Sequence, residues 1–375
     1  MKSWITAILC ALLVPGMCAP AFASDAPTVS AESYIVMDAG TGDVLAASCP
    51  DERMLIASTT KIMTALVVLE NDDPDMTVAI HPEWTGIEGS SMYLVPGQEL
   101  TVRELLYGLM LASGNDAAVA LACITAGSVE NFSALMNERA LSLGCAGTHF
   151  SNPNGLDAED HYSCARDLAI ITREAIRNEE FCGIVSAPYY TVGDHTYSNH
   201  NRLLTEYDGV FGVKTGYTEA AGRTLVTCCA RDGVTLICVT LSDPDDWDDH
   251  TALYDWAFAL YGRAELLTSG ERWTIPVIGG ERETVTVSPE EPLHAMLRED
   301  QAATVALRLP AFSYARIEAG SEAGSAAAMI EGQAVQNVRL IYNDTVEREN
   351  EARPTFLDRI RDIFGRGERR IYTLE

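Results

Sequence analysis

The chain has 375 residues, 47% of them apolar, with 26 basic against 54 acidic side chains and a formal net charge of −28. That is length enough for two domains and apolar content enough for a sizeable core. So acidic a surface repels a nucleic-acid backbone, and it repels polyanions generally outside a local basic site.

The first segment, MKSWITAILCALLVPGMCAPAFAS, reads as a secretory leader over residues 1–23. Lys2 supplies the positive start, Ile5 to Val14 the apolar stretch, and Ala21-Phe22-Ala23 a small-x-small cleavage site. The apolar run is short for a membrane span and holds Pro15. An exported, extracytoplasmic protein is expected. Cys10 and Cys18 leave with the leader, and eight cysteines remain. An even number permits disulfides in that compartment. Their low density and apolar settings favour buried free thiols, and without paired C-x-x-C spacing no zinc site is expected.

Residues 34–49 read as a hairpin around Gly40-Thr41-Gly42-Asp43. A helix apolar nearly all round follows in ASTTKIMTALVVLE, so it should be buried. Next come a loop and two helices in GSSMYLVPGQELTVRELLYGLMLASGNDAAVALACITAG, then amphipathic helices over 130–144 and 164–177. Between those helices lies the turn-rich FSNPNGLDAEDHYS. Residues 209–242 read as three strands, and 250–262 as a closing helix. Strands at both ends with helices between them indicate an α+β domain with an antiparallel sheet, over 24–265. Short alternating strands then mark a small all-β domain over 266–345, with EAGSEAGSAAAM as a loop-like tip. The tail, 346–375, places Phe356, Leu357, Ile360, Ile363 and Phe364 on one helical face, with five arginines around them. A basic amphipathic helix of this kind suits an anionic membrane surface, the alternative being a helix packed on its own protein.

Lysine usage is the sharpest chemical signal. The chain has three lysines, Lys2, Lys61 and Lys214, and every other basic side chain except histidine is arginine. Lysine can surrender its proton in a protein and arginine cannot. Ser58 and Lys61 are three residues apart and share a helical face. Burial and a second cation would depress the amine and let it take the serine proton. The ordinary alternative is an N-cap serine beside a lysine that reaches solvent. Ser113-Gly114-Asn115 interrupts an apolar run. It is either a helix cap or a proton relay at Ser113 with an amide-binding Asn115. Lys214-Thr215-Gly216 lies in a strand. Lys214 is either an edge-strand lysine or the second cation, with Thr215 placed to bind a carboxylate and Gly216 to allow close backbone approach.

Each motif alone is weak. Ser-x-x-Lys, Ser-x-Asn and Lys-Thr-Gly in that order form the motif set of penicillin-binding proteins and serine β-lactamases. Over residues 30–265 the chain resembles the low-molecular-mass (class C) penicillin-binding proteins that act as serine D-alanyl-D-alanine carboxypeptidases, with further matches in GSSMYLVPG, LMLASGNDAA, FSNPNGLD and GVKTGYTEAAGRTLV. The resemblance implies a penicillin-binding/β-lactamase-like transpeptidase domain, a small all-β domain and a C-terminal amphipathic helix on the outer face of the cytoplasmic membrane. It implies that Ser58 attacks the bond between the two terminal D-alanines of a peptidoglycan stem peptide, with Lys61 as base. Ser113 and Lys214 relay the proton, Asn115 holds the acyl chain, and Thr215 and Gly216 shape the site. The N–H groups of Ser58 and Tyr217 form the oxyanion hole. β-Lactam antibiotics are expected ligands. No cofactor, metal or nucleic acid is implied.

One departure stands out. Relatives often carry a carboxylate-binding arginine after the strand that follows Lys-Thr-Gly. Here that segment reads LSDPDDWDDH and offers only His250, which leaves Lys214 and Thr215 for the carboxylate. Two alternatives remain: a serine β-lactamase, for which only Glu159 is available as the deacylating glutamate, and a catalytically weak wall-peptide-binding protein. No G-x-S-x-G context supports a histidine triad, and His161 is expected to be structural.

Overall fold

The computed structural model describes the backbone of residues 4–7 and residues 25–349. In chain order the first part comprises β1 (Trp4–Ala7), β2 (Ser33–Asp38), β3 (Val44–Ser48), a 3-10 turn (Ala57–Thr60) and α1 (Lys61–Asn71). Then come β4 (Thr77–Ala79), β5 (Glu99–Thr101), α2 (Val102–Leu111), α3 (Asn115–Ala126), α4 (Val129–Ser142), α5 (Ala165–Ala175) and α6 (Glu179–Ser186). The hairpin β6 (Tyr189–Val192) and β7 (His195–Ser198), the short α7 (Leu203–Glu206), β8 (Val210–Thr218), β9 (Gly222–Arg231), β10 (Val234–Leu241) and α8 (Asp246–Phe258) complete it. Of the leader expected over 1–23 only the backbone of residues 4–7 is described, and the amphipathic tail beyond 349 lies outside the described residues; β1 pairs antiparallel with a strand of the second unit.

β2, β3, β8, β9 and β10 form one antiparallel sheet, ordered β3-β2-β10-β9-β8. Side chains alternate across it. Ile35, Met37, Val226, Cys228, Ile237 and Val239 join the core of the α1–α6 cluster. Val36, Leu225, Cys229, Leu236 and Cys238 pack on the other face, against Leu253, Tyr254 and Ala257 of α8. Apolar matter on both faces explains why β10 reads as an unbroken apolar run. α1 is apolar all round because it is buried from Lys61 to Val68, among the other helices of the cluster. A capping box starts α2: Thr101 Oγ1 accepts from Glu104 N, and the Glu104 carboxylate accepts from Thr101 N.

The second unit comprises β11 (Gly262–Leu267), β12 (Trp273–Ile278), β13 (Thr284–Pro289), β14 (Leu293–Leu297), β15 (Ala303–Pro310), β16 (Ser313–Tyr314), β17 (Glu322–Ile330) and β18 (Gln333–Tyr342). It has its own apolar core, including Val285, Val287, Leu293, Ala326 and Leu340. The expected loop-like tip is instead β17, held between β15 and β18. Its small residues are what that position requires: a Cβ on Gly324 would lie 2.0 Å from Arg308 O, and Ala326 and Ala328 are fully buried. Val346 and Arg348 still bridge to Ile317 and Gly280, so this unit runs slightly past residue 345. α8 begins at Asp246, inside the acidic segment expected to precede it. All eight described cysteines are free thiols, with Cys228 and Cys238 fully buried.

The units meet at the β2–β3 turn, where Tyr261 Oη donates to Asp38 (2.6 Å) and Arg298 Nη2 to Asp43 (2.6 Å).

Ile62 is fully buried on α1, one residue after Lys61. Ile62→Ala is expected to cost about 2–5 kcal/mol in urea unfolding; a loss below about 0.5 kcal/mol would contradict this packing.

Candidate active site

Ser58 sits in the 3-10 turn just before α1, and Lys61 is the first residue of that helix. The turn is shaped by close backbone approach. Ala57 has φ +44°. A Cβ on Gly155, which has φ +87°, would fall 1.9 Å from Ala57 O. A Cβ on Gly216 would lie 3.0 Å from Ser58 N and 2.4 Å from Thr224 Oγ1. Glycine at these two positions therefore lets the NPNG loop and edge strand β8 close on the serine from two sides. Thr224 Oγ1 and Thr59 Oγ1 both donate to Ile56 O, at 3.2 and 2.6 Å, and pin the turn from below.

Lys61 is fully buried. Its Nζ lies 2.9 Å from Ser58 Oγ, 2.8 Å from Asn115 Oδ1 and 2.5 Å from Asn154 O. The amide of Asn115 can face only one way, because its Nδ2 donates to Glu88 O at 2.7 Å. Two of the three neighbours of Nζ are thus carbonyl oxygens without a proton to give. A neutral amine has two N–H groups and one lone pair. The carbonyls take the two N–H groups, and the lone pair is left for the Ser58 hydroxyl. Burial pushes the Lys61 amine well below its usual value, the Lys214 charge pushes the same way, and Asp116 opposes them. Lys214 is 2% exposed, donates to Thr215 O at 2.8 Å, and is brought down to about 7 by burial.

Ser113 is 4% exposed at φ +57°, in the link between α2 and α3, two residues before Asn115 opens α3. Thr215 and Gly216 are half-buried on β8, and Tyr217 is 65% exposed. Ser58, Lys61 and Asn115 form one hydrogen-bonded set; Lys214 reaches Lys61 through its charge.

Two participants were not singled out in the sequence. Asn154 contributes a main-chain carbonyl, which no side-chain pattern can announce. Asp116 accepts from Ser91 Oγ (2.6 Å), Met92 N (2.9 Å) and Leu94 N (3.0 Å), tying the GSSMYL loop to the start of α3. Its place directly after Asn115 was the available signal. His161 is structural: buried beneath the serine turn, it is held by Thr60 Oγ1 (2.8 Å) and Ser151 N (3.2 Å), and burial lowers it to about 4. His250, the one basic group of the acidic segment, lies fully buried on the inner side of α8 against Thr227 and Thr240, and burial lowers it to about 3. Glu159 is exposed.

The family model for D-alanyl-D-alanine carboxypeptidase matches residues 20–245. The chain belongs to the D-alanyl-D-alanine carboxypeptidase family. It is 33% identical over 351 residues to D-alanyl-D-alanine carboxypeptidase DacC of Escherichia coli, covering 86% of each chain. It is 37% identical over 259 residues to DacB2 of Mycobacterium tuberculosis, covering 66% of this chain and 89% of that one. The structure of penicillin binding protein 5 from Haemophilus influenzae superposes with a TM-score of 0.63 at 29% identity, covering 87% of this chain and all of that one. These matches place the fold with the penicillin-binding peptidases and the enzyme among serine-type carboxypeptidases.

The depressed Lys214 sets a pH dependence. A lysine near 10.4 when unfolded and about 7 when folded makes the unfolded chain bind more protons between those values. Its burial penalty is full below pH 7 and fades as pH rises toward 10.4, so stability rises with pH across that window. Relative to Lys214→Met, the wild type should gain about 1–2 kcal/mol in urea unfolding between pH 7 and pH 9. A constant difference would show that Lys214 is not buried.

Proposed function

We propose that the chain removes the terminal D-alanine from peptidoglycan stem peptides through an acyl-Ser58 intermediate. The observation that carries this is the Lys61 amine, buried, depressed, and 2.9 Å from Ser58 Oγ with its other two contacts on carbonyls. Lys61 takes the Ser58 proton as the oxygen attacks the carbonyl between the two D-alanines. The N–H groups of Ser58 and Tyr217 receive the oxyanion, and such a donor contributes about 3–4 kcal/mol to the transition state. Ser113 and Lys214 carry the proton to the departing D-alanine, and Asn115 holds the acyl chain's amide. Water then cleaves the ester. β-Lactams enter as mimics of the same peptide.

The β-lactamase alternative needs a glutamate carboxylate as the base that activates water for rapid deacylation. Here Lys61 faces the carbonyl of Asn154, and Glu159 points to solvent. Sequence pattern supports an export leader over 1–23, a catalytic domain over 24–265, a β domain over 266–345 and a membrane-surface helix in the tail. Among the described residues no single helix is long and apolar enough to cross a membrane.

Release of D-alanine from a peptide ending in D-Ala-D-Ala tests the reading. Lys61→Arg keeps the charge and removes the lone pair, so release should fall at least about a thousandfold, the scale of losing a general base with its nucleophile. A fully active arginine variant would remove Lys61 from the role of base.

A further inference from the structure

A D-Ala-D-Ala carboxypeptidase must hold a free carboxylate one residue beyond the bond it cuts. Lys214 is a poor sole anchor for it. It is almost wholly buried, it is spent on the Thr215 carbonyl, and burial brings it to about 7. The acidic segment after β10 supplies no cation, and His250 is sealed in the core.

Arg223 lies at the start of β9, directly opposite Tyr217 of β8 and diagonal to Thr215. Cross-strand partners share a face, and a diagonal neighbour is within reach of a long side chain. Thr215, Tyr217 and Arg223 therefore stand on one face of the strand pair, and Lys214 and Gly216 on the other. Arg223 Nη2 donates to Asp246 Oδ1 at 2.6 Å. Asp246 is 2% exposed, so this is no floppy surface pair. The guanidinium carbon also stands 5.6 Å from the centre of the Trp247 ring. Asp243 N donates to Arg223 O at 2.9 Å, which fixes the backbone. With the side chain held so firmly, its Nε is buried and has no hydrogen-bond partner, although the side chain as a whole is 41% exposed. A partly exposed planar donor fork, oriented by a carboxylate, suits a carboxylate ligand.

We propose that Arg223 binds the terminal carboxylate of the substrate together with the Thr215 hydroxyl, with Asp246 and Trp247 as its positioning residues. This rests on the carboxypeptidase reading of the site. The acidic segment then has a use in place of the missing arginine: its Asp246 aims a guanidinium that comes from the neighbouring strand.

The test compares a peptide ending in D-Ala-D-Ala as the free acid with the same peptide as its C-terminal amide. Arg223→Gln should lower kcat/KM on the free acid by roughly ten- to a hundredfold, the scale of one charge-assisted hydrogen bond, mainly through KM. Activity on the amide should stay within about twofold of wild type, because the lost partner is absent there. Arg223→Lys should recover part of the loss. Asp246→Asn removes the carboxylate that holds the guanidinium while leaving the Arg223 charge in place, and should give a smaller loss confined to the free acid; with Arg223→Lys it carries the test if Arg223→Gln does not fold. Equal losses on both peptides, or none on the free acid, would overturn the assignment. A wild type that released neither D-alanine from the free acid nor D-alaninamide from the amide would instead sink the carboxypeptidase reading beneath it.

Discussion

Lys61 Nζ has three neighbours, and only Ser58 can give it a proton. The carbonyls of Asn115 and Asn154 fix the direction of the lone pair, and burial keeps water from competing for it. The surrounding structure serves that geometry. Glu88 O fixes the Asn115 amide, Asp116 fastens the GSSMYL loop that directly follows Glu88, and the NPNG loop brings the Asn154 carbonyl against α1. The two close-approach glycines, Gly155 and Gly216, allow the serine turn to be gripped between that loop and β8.

A fully buried amine works against stability, since desolvation favours the neutral form and costs free energy at neutral pH. The helical cluster meets that cost with a large apolar core around α1. It also explains the chain's use of basic residues. Arginine serves the ion pairs, such as Arg139 with Glu70 and Glu174, where a permanent charge is wanted. Outside the first few residues, lysine occurs at only two positions, and at both the amine is buried and pushed toward its neutral form.

Much of the catalytic unit was legible because its chemistry is carried by side chains at fixed spacing. Ser58, Lys61, Ser113, Asn115 and Lys214 announced themselves as polar groups in apolar surroundings, and the strands β8, β9 and β10 by their turns. The unread parts are of three kinds. Asn154 acts through a main-chain carbonyl that every residue possesses. β17 is a strand whose alanines and glycine are dictated by neighbours distant in sequence, so its composition resembled a loop. Arg223 looked like any strand-end arginine until the register set it across from Tyr217, and His250 looked available until α8 sealed it against Thr227 and Thr240.

The central claim is that Ser58, and no other residue, is made nucleophilic by Lys61. Intact-mass measurement after incubation with benzylpenicillin, followed by peptide mapping, tests it most directly. The account predicts a single persistent penicilloyl adduct on the peptide carrying Ser58, absent from Ser58→Ala. An adduct on another residue, or penicillin consumed without any adduct accumulating, would contradict it.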